Sequence, residues 1–256
     1  MRGTGERGMI DEKIAERRRE VREGRRRTRL RRTLTMGALL VIVIALVMVE
    51  RSALVGLEEV RVAGAERLDD DEVRAATGLQ LGTSTLRLRL GRVEQRVEEL
   101  AVVREASARR LDPLTVLVEV VEREPTLVAA GAGRRVLVDR DGVVIDEGGH
   151  DGLPLVRLDT APPEVGESAE EHPGLANAVR AWRGLTGPLR AQVVRYDAAG
   201  ADDLMLRLET GIDVRFGRAQ RIDEKARALG VILEDVGDAQ ISEIDVRAPS
   251  APVVVP

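Results

Sequence analysis

The chain contains no cysteine. That excludes a disulfide framework, thiolate metal sites and thiol nucleophiles, so whatever folds must be held by core burial alone. Aromatic residues are nearly missing too: Trp182, Tyr196 and Phe216 are the complete set. Any core is therefore Val, Leu, Ile and Ala, residues that suit sheets with helices laid across them. His150 and His172 are the only histidines, both beside Gly or Pro in loops and neither at a metal-ligand spacing, so both read as exposed. Lys13 and Lys225 are the only lysines among 40 basic residues, a bias that records a GC-rich genome rather than a chemical need. There is no G-x-S-x-G, no Walker lysine and no H-E-x-x-H. Gly131-x-Gly133 lacks the remaining dinucleotide-site glycine and opens no helix, which argues against a phosphate site.

What is present begins with an apolar run. Leu34 to Val49 carries no charge, and a helix over about 33–50 reaches the short end of the roughly 17–25 residues needed to span a bilayer. The run has no polar stripe, as a core helix would, and no small-residue cleavage site follows it, as after a signal peptide. The expectation is a retained transmembrane helix. Residues 1–32 form a basic tail with thirteen basic residues against six acidic ones, and Arg25, Arg26, Arg27, Arg29, Arg31 and Arg32 abut the run. Basic flanks stay cytoplasmic, which predicts a single-pass type II protein of the inner (plasma) membrane, its bulk extracytoplasmic. Without that tail the remaining residues hold about −11 against the chain's −4, which disfavours nucleic acid as a ligand.

Past the run, Val60 and Val62 alternate in a strand over 58–63 that Gly64 ends. Asp69 caps a helix, with Glu72 three residues on, and Gly78 stops it. A second helix covers about 91–100, with Val93, Val97 and Leu100 at helical spacing. Strands over 103–109 and 115–122 follow, joined by a turn at Asp112-Pro113. Beyond Glu124-Pro125 come short strands at 127–130, 135–138 and 143–146, a polar loop at 159–173, and a helix over 175–185. Further strands at 193–197, 203–209 and 212–216 read as a meander. Ile222, Ala226, Leu229 and Leu233 mark an amphipathic helix ending near Gly237, and 241–246 and 253–255 are late strands.

This order of parts resembles the FtsQ/DivIB family of bacterial cell-division proteins over nearly the whole chain. Val60-Arg61-Val62-Ala63-Gly64 resembles the V-x-V-x-G opening of that family's POTRA domain, and Thr77-Gly78-Leu79 with Gly82-Thr83-Ser84 its next stretch. Val102 to Ala106, Arg109 to Leu114 and Val118 to Pro125 are similar to its "V..A.V.R..P.tl.I.V.ER.P" segment, although Leu100-Ala101 replaces the usual motif proline. Val138-Asp139-Arg140-Asp141-Gly142, Leu153-Pro154-Leu155, Phe216-Gly217 with Lys225, and Ile244 to Pro249 resemble later motifs. The resemblance implies an α+β fold: cytoplasmic basic tail (1–32), one transmembrane helix (33–50), a small POTRA domain of βααββ order (55–124), and a β-rich FtsQ-type domain with flanking helices (125–256). It implies a non-enzymatic divisome scaffold at the septum, linking early and late division proteins. The implied partners are FtsB- and FtsL-like proteins, with further divisome members reached through the POTRA domain. No cofactor, metal, nucleic acid or small-molecule substrate is expected. The alternative is another POTRA-bearing protein of translocation or envelope assembly, which would need several POTRA copies or a barrel.

Asp139 and Asp141 look like half of a calcium loop, but the twelfth position is His150, so a hairpin turn is the better reading. The same pair would serve a carboxylate-based wall enzyme, the third reading. Lys225 reads as solvated on its helix, while the resemblance implies a structural or interaction role. A three-stranded βααββ sheet leaves at least one free edge where a partner can add a strand. Val253-Val254-Val255 between Pro252 and Pro256 is a closing strand, a frayed end, or such an accepting edge. By position, the resemblance implies Asp245, Arg247, Val253, Val254 and Val255 as the partner-binding residues.

Overall fold

A computed structural model describes residues 34–45, 48, 56–236 and 241–256. The basic tail, the remainder of the expected span and the helix end near Gly237 lie outside the described residues. Residues 34–45 and 48 are helical, with exposed side chains. Among the described residues no helix is long and apolar enough to cross a membrane. The chain divides into two units: 1–59, 80–88 and 110–115 form one, and 60–79, 89–109 and 116–256 the other.

β1 (Glu59–Ala63), α1 (Asp70–Thr77), α2 (Leu90–Glu98), β2 (Val103–Arg110) and β3 (Thr115–Glu122), in the second unit but for the end residues Glu59, Arg110 and Thr115, give the expected βααββ order. The sheet runs β1-β3-β2. Helix α1 starts where Asp69 accepts a hydrogen bond from the Asp71 N–H at 3.0 Å and stops at Gly78 with φ 63°. Val73, Val93, Val97, Val103, Val116, Val118 and Val120 are buried, and their branched side chains fill the space between helices and sheet. Gly64, with φ 83°, is required because a Cβ there would stand 2.2 Å from the Val120 carbonyl oxygen. The Glu122 carboxylate closes the loop before α1, accepting from the N–H groups of Glu66, Arg67 and Leu68 at 2.9–3.1 Å.

The larger sheet is built from β4 (Pro125–Gly131), β5 (Arg134–Asp139), β6 (Val144–Glu147), β7 (Leu155–Leu158), β8 (Val193–Ala198), β9 (Leu204–Leu208), β10 (Asp213–Arg215), β11 (Glu243–Asp245) and β12 (Val253–Val255). Its nine strands run β12-β11-β10-β9-β8-β7-β4-β5-β6. Strands β8, β9 and β10 form the expected antiparallel meander. The sheet is mixed, however: β7, which no sequence signal marks, lies between β4 and β8 and is parallel to both, and β11 is parallel to β10. Helices α3 (Pro173–Gly184), α4 (Gly187–Gln192) and α5 (Ile222–Val236) complete the unit. Leu175, Ala178 and Ala181 of α3 share one core with Leu127, Val136, Val156, Tyr196, Leu206 and Phe216 of the strands. On β4, β5 and β6, Val128, Leu137 and Ile145 form a small second cluster.

Two sequence expectations are refined, one by hydrogen bonding and one by burial. His172 is not a free loop histidine: its Nδ1 accepts from the Leu175 N–H at 3.2 Å, capping α3, and its Nε2 lies 2.7 Å from Thr160 Oγ1. Lys225 is not solvated but 3% exposed, with Nζ donating to the carbonyls of Phe216 at 2.6 Å and Arg218 at 2.8 Å. Burial, then Arg221, pulls its pKa down, and Asp245 opposes them. Buried Asn177 pins the same loop, donating to Gly217 O at 3.2 Å and accepting from the Ala219 N–H at 2.7 Å.

Two stability effects are expected. Lys225→Met leaves the Phe216 carbonyl without a hydrogen bond, while the Arg218 carbonyl keeps that from the Gln220 N–H, and it removes about 1–2 kcal/mol from unfolding, measured by urea titration. Glu122→Gln keeps the acceptor and loses the charge, costing about 1–2 kcal/mol at neutral pH after allowance for solvent. Burial pushes the Glu122 pKa up, but the three N–H groups and Arg67 outweigh it and the net shift is downward. The wild-type advantage is therefore complete above the unfolded carboxylate pKa of about 4.3 and fades as pH falls through the lower folded value.

Candidate functional site

An extended chain has one way to be recognised without side-chain chemistry, through the N–H and C=O groups of a strand edge. In the smaller sheet, α2 covers the outer side of β2: Glu98 accepts from the Ala106 N–H at 3.1 Å and Glu94 from the Ala108 N–H at 2.9 Å. On β1, the Val60 carbonyl accepts from Arg74 Nε at 3.1 Å. The edge expected to be free is thus largely occupied. In the larger sheet the polar 159–173 loop returns along β6. Val144 donates to Glu167 O at 3.0 Å and accepts from Gly166 N–H at 2.8 Å, and Ala169 N–H donates to Gly142 O at 2.7 Å.

The opposite end of that sheet is different. β12 pairs antiparallel with β11 in the register Glu243↔Val255, Ile244↔Val254 and Asp245↔Val253. Its orientation follows from the neighbouring parallel ladder. Asp213 N–H donates to Ser242 O and Val246 N–H to Arg215 O, so Ile244 directs its own backbone groups at β10. Glu243 and Asp245 then face β12, where Val253 and Val255 meet them. Val254 is left with its N–H and C=O pointing away from the sheet. Among the described residues nothing hydrogen-bonds to that side of β12. Val253, Val254 and Val255 are 56%, 40% and 42% exposed.

The loop from β11 to β12 is fixed by Asp245 and Arg247. Arg247 donates to both carboxylate oxygens, from Nε at 3.0 and 2.9 Å and from Nη2 at 2.6 Å, and its backbone N–H adds a bond of 2.9 Å. The guanidinium bond, against a smaller effect of burial, lowers the Asp245 pKa, and the same pairing raises that of Arg247. Gly217, at φ 67°, lets the Arg247 stem lie close, since a Cβ there would stand 3.0 Å from Arg247 Cγ. Behind it stands the Phe216–Arg218 loop that Lys225 holds. The five residues expected from the sequence therefore gather on two adjoining strands and their connection. Lys225, Asn177 and Gly217 support them; only Gly217 and Lys225 lay in sequence motifs, and Asn177 carried no signal. Two recesses flank the connection. One of about 360 Å³ is lined by Asp245, Arg247, Ala248, Ala251 and Val253, and one of about 420 Å³ by residues of α5 such as Val231 and Ile232 with Pro249 and Pro252.

Asp139 is spent on structure. Its Oδ2 receives Arg123 Nη1 at 2.7 Å, and its Oδ1 accepts from the N–H groups of Asp141 and Val143 at 2.9 and 2.8 Å, fixing the β5–β6 turn. With 1% of its side chain exposed, it does not meet water as a catalytic acid would.

Residues 55–123 match a family profile described as POTRA domain, FtsQ-type. Residues 127–247 match one described as Cell division protein FtsQ/DivIB, C-terminal. The cell division protein FtsQ of Streptomyces collinus is 30% identical over 239 residues, 88% of this chain and 88% of that protein. FtsQ of Streptomyces bingchenggensis is 30% identical across 77% of this chain and 75% of its own length. FtsQ of Mycobacteroides abscessus is 29% identical across 84% of this chain and 68% of its own. With its α+β fold and no catalytic role, the chain belongs to the FtsQ/DivIB family of cell-division proteins.

Proposed function

We propose that the chain is a single-pass divisome scaffold of the inner membrane. It links early and late division proteins at the septum through extracytoplasmic contacts. In this reading residues 33–50 cross the membrane with the basic tail 1–32 inside, 55–124 form the POTRA domain, and 125–256 form the partner-binding β domain. An FtsB-like partner, accompanied by an FtsL-like one, lays an extended segment along β12. Other divisome members bind through the POTRA domain. The observation that supports the reading is Val254: its N–H and C=O face outward at an end strand of the larger sheet, and no hydrogen bond from the described residues reaches that side. Asp245 and Arg247 hold the β11–β12 connection in shape and border the recess beside it. The mechanism is placement. Confinement to a thin shell above the membrane raises the effective concentration of weakly binding partners, and no bond is made or broken.

Val254→Pro tests this cleanly. The Val254 N–H takes no part in the β11 ladder, so proline there deletes an outward donor and spares the internal pairing. Affinity for the extracytoplasmic part of an FtsB-like partner, measured by calorimetry, is expected to fall about tenfold or more, the equivalent of roughly 1.4 kcal/mol. An unchanged affinity with a native circular-dichroism spectrum rejects the β12 edge as the docking strand. In dividing cells, a fluorescent fusion of the full chain is expected to form a band at midcell before constriction. A uniform envelope signal would count against the scaffold role.

A further inference from the structure

The first unit carries three leucines that no core claims. Leu81, Leu86 and Leu111 are 71%, 61% and 41% exposed. They stand on two loops, 80–88 and 110–115, that are fastened to one another and to the residues just after the apolar run. Gly56 bridges Ser84. Leu57 donates to Thr83 O at 2.8 Å and accepts from the Gly82 N–H at 2.7 Å, and Glu58 N–H donates to Leu114 O at 2.8 Å. Thr85 Oγ1 donates to Pro113 O at 2.6 Å, and the Arg110 guanidinium reaches the carbonyls of Thr85 and Leu88 at 2.8 Å each. The two loops therefore form one tip, with its backbone tied and its leucines turned out.

Chain length decides what the tip can face. Val49 ends the apolar run and Gly56 is already part of the tip, seven residues on, so the connection spans at most about 25 Å. Its last part, Ser52-Ala53-Leu54-Val55-Gly56-Leu57, carries no charge that would require it to stand off in water. Scattered single leucines on a surface need no explanation. Three on one tip, at the point where the chain leaves a membrane-length apolar run, do. We infer that this tip rests on the outer surface of the bilayer, with Leu81, Leu86 and Leu111 dipping into the boundary between head groups and acyl chains. The occupant of the face is lipid. The inference rests on the reading of 33–50 as a membrane anchor and adds a second contact with the same bilayer. An anchor alone tethers a domain at one point; a seated tip also restricts its swing.

The absence of cysteine makes the test direct. The full chain is prepared with a single cysteine, as Leu81→Cys, Leu86→Cys, Leu111→Cys, Ile42→Cys or Val231→Cys. Each carries an environment-sensitive dye and is reconstituted in phosphatidylcholine–phosphatidylglycerol vesicles with a lipid quencher, placed at shallow depth for the tip and Val231 positions and near the bilayer centre for Ile42. Dyes at Ile42 and at the three tip positions are expected to lose emission by roughly twofold, consistent with insertion of about 5–10 Å into the interface, while Val231 keeps its emission. Quenching at Ile42 without quenching at the tip overturns the inference and leaves the anchor standing. No quenching at Ile42 rejects the anchor and the inference together. Equal quenching at Val231 also overturns the inference, because the contact would then not belong to the tip.

Discussion

A β-sheet ends in backbone groups that have no partner, and most of this molecule is arranged around closing those ends. Two glutamates of α2 reach over to the N–H groups of β2. An arginine of α1 takes the Val60 carbonyl of β1. The polar 159–173 loop lies along β6 and satisfies it with backbone bonds. Each device answers the hazard of uncontrolled strand addition. The exception is β12, three residues long and bounded by Pro252 and Pro256, which cannot extend a ladder in either direction. One donor and one acceptor, both from Val254, are what remains. An opening this small limits which extended segments can pair there.

Keeping β12 in place depends on a chain of contacts running inward. Asp245 and Arg247 shape the connection, Gly217 admits the Arg247 stem, and Lys225 and Asn177 hold the loop that contains Gly217. A buried ammonium is costly unless its donors are satisfied. Here two carbonyls receive it, and the Phe216 ring lies 4.8 Å from Nζ. Lysine serves because its long stem lets a point donor on α5 reach the Phe216 carbonyl and add a second donor to the Arg218 carbonyl, which the Gln220 N–H also reaches at 2.8 Å. A methionine of similar length would fill the volume and leave the Phe216 carbonyl without a hydrogen bond.

The sequence made local structure legible wherever the cause was local. Asp69 and Gly78 bracket α1 as capping chemistry requires, and Asp139 to Gly142 turn as their residue types dictate. Strand β7 escaped because Leu155–Leu158 is four residues long and its pairing partners, β4 and β8, are remote in the chain. A parallel insertion leaves no hairpin signal. Lys225 and His172 were misread for a related reason: a polar side chain on a helix or beside a proline looks exposed until tertiary contacts enclose it. The five site residues could be placed through resemblance alone. Which of the three valines faces outward depends on ladder parity passed from β10 through β11, and no property of the residues themselves encodes that.

The magnitudes limit what the β12 edge can do. Two backbone hydrogen bonds contribute about 1–3 kcal/mol net, whereas a micromolar complex needs about 8 kcal/mol. In the proposed complex, strand addition at Val254 would therefore set register and direction, and most of the affinity would have to arise beside it. The flanks suit that division of labour. The recess at Ala248 and Ala251 is walled by the Asp245–Arg247 pair, and the groove with Val231 and Ile232 offers apolar surface to a partner's side chains. Confinement at a membrane lowers the affinity that free solution would demand, since tethered partners meet at raised effective concentration. In the proposed scaffold role, a weak edge, a shallow groove and a shared membrane would together hold a complex that none of them would hold alone, and one that can come apart again.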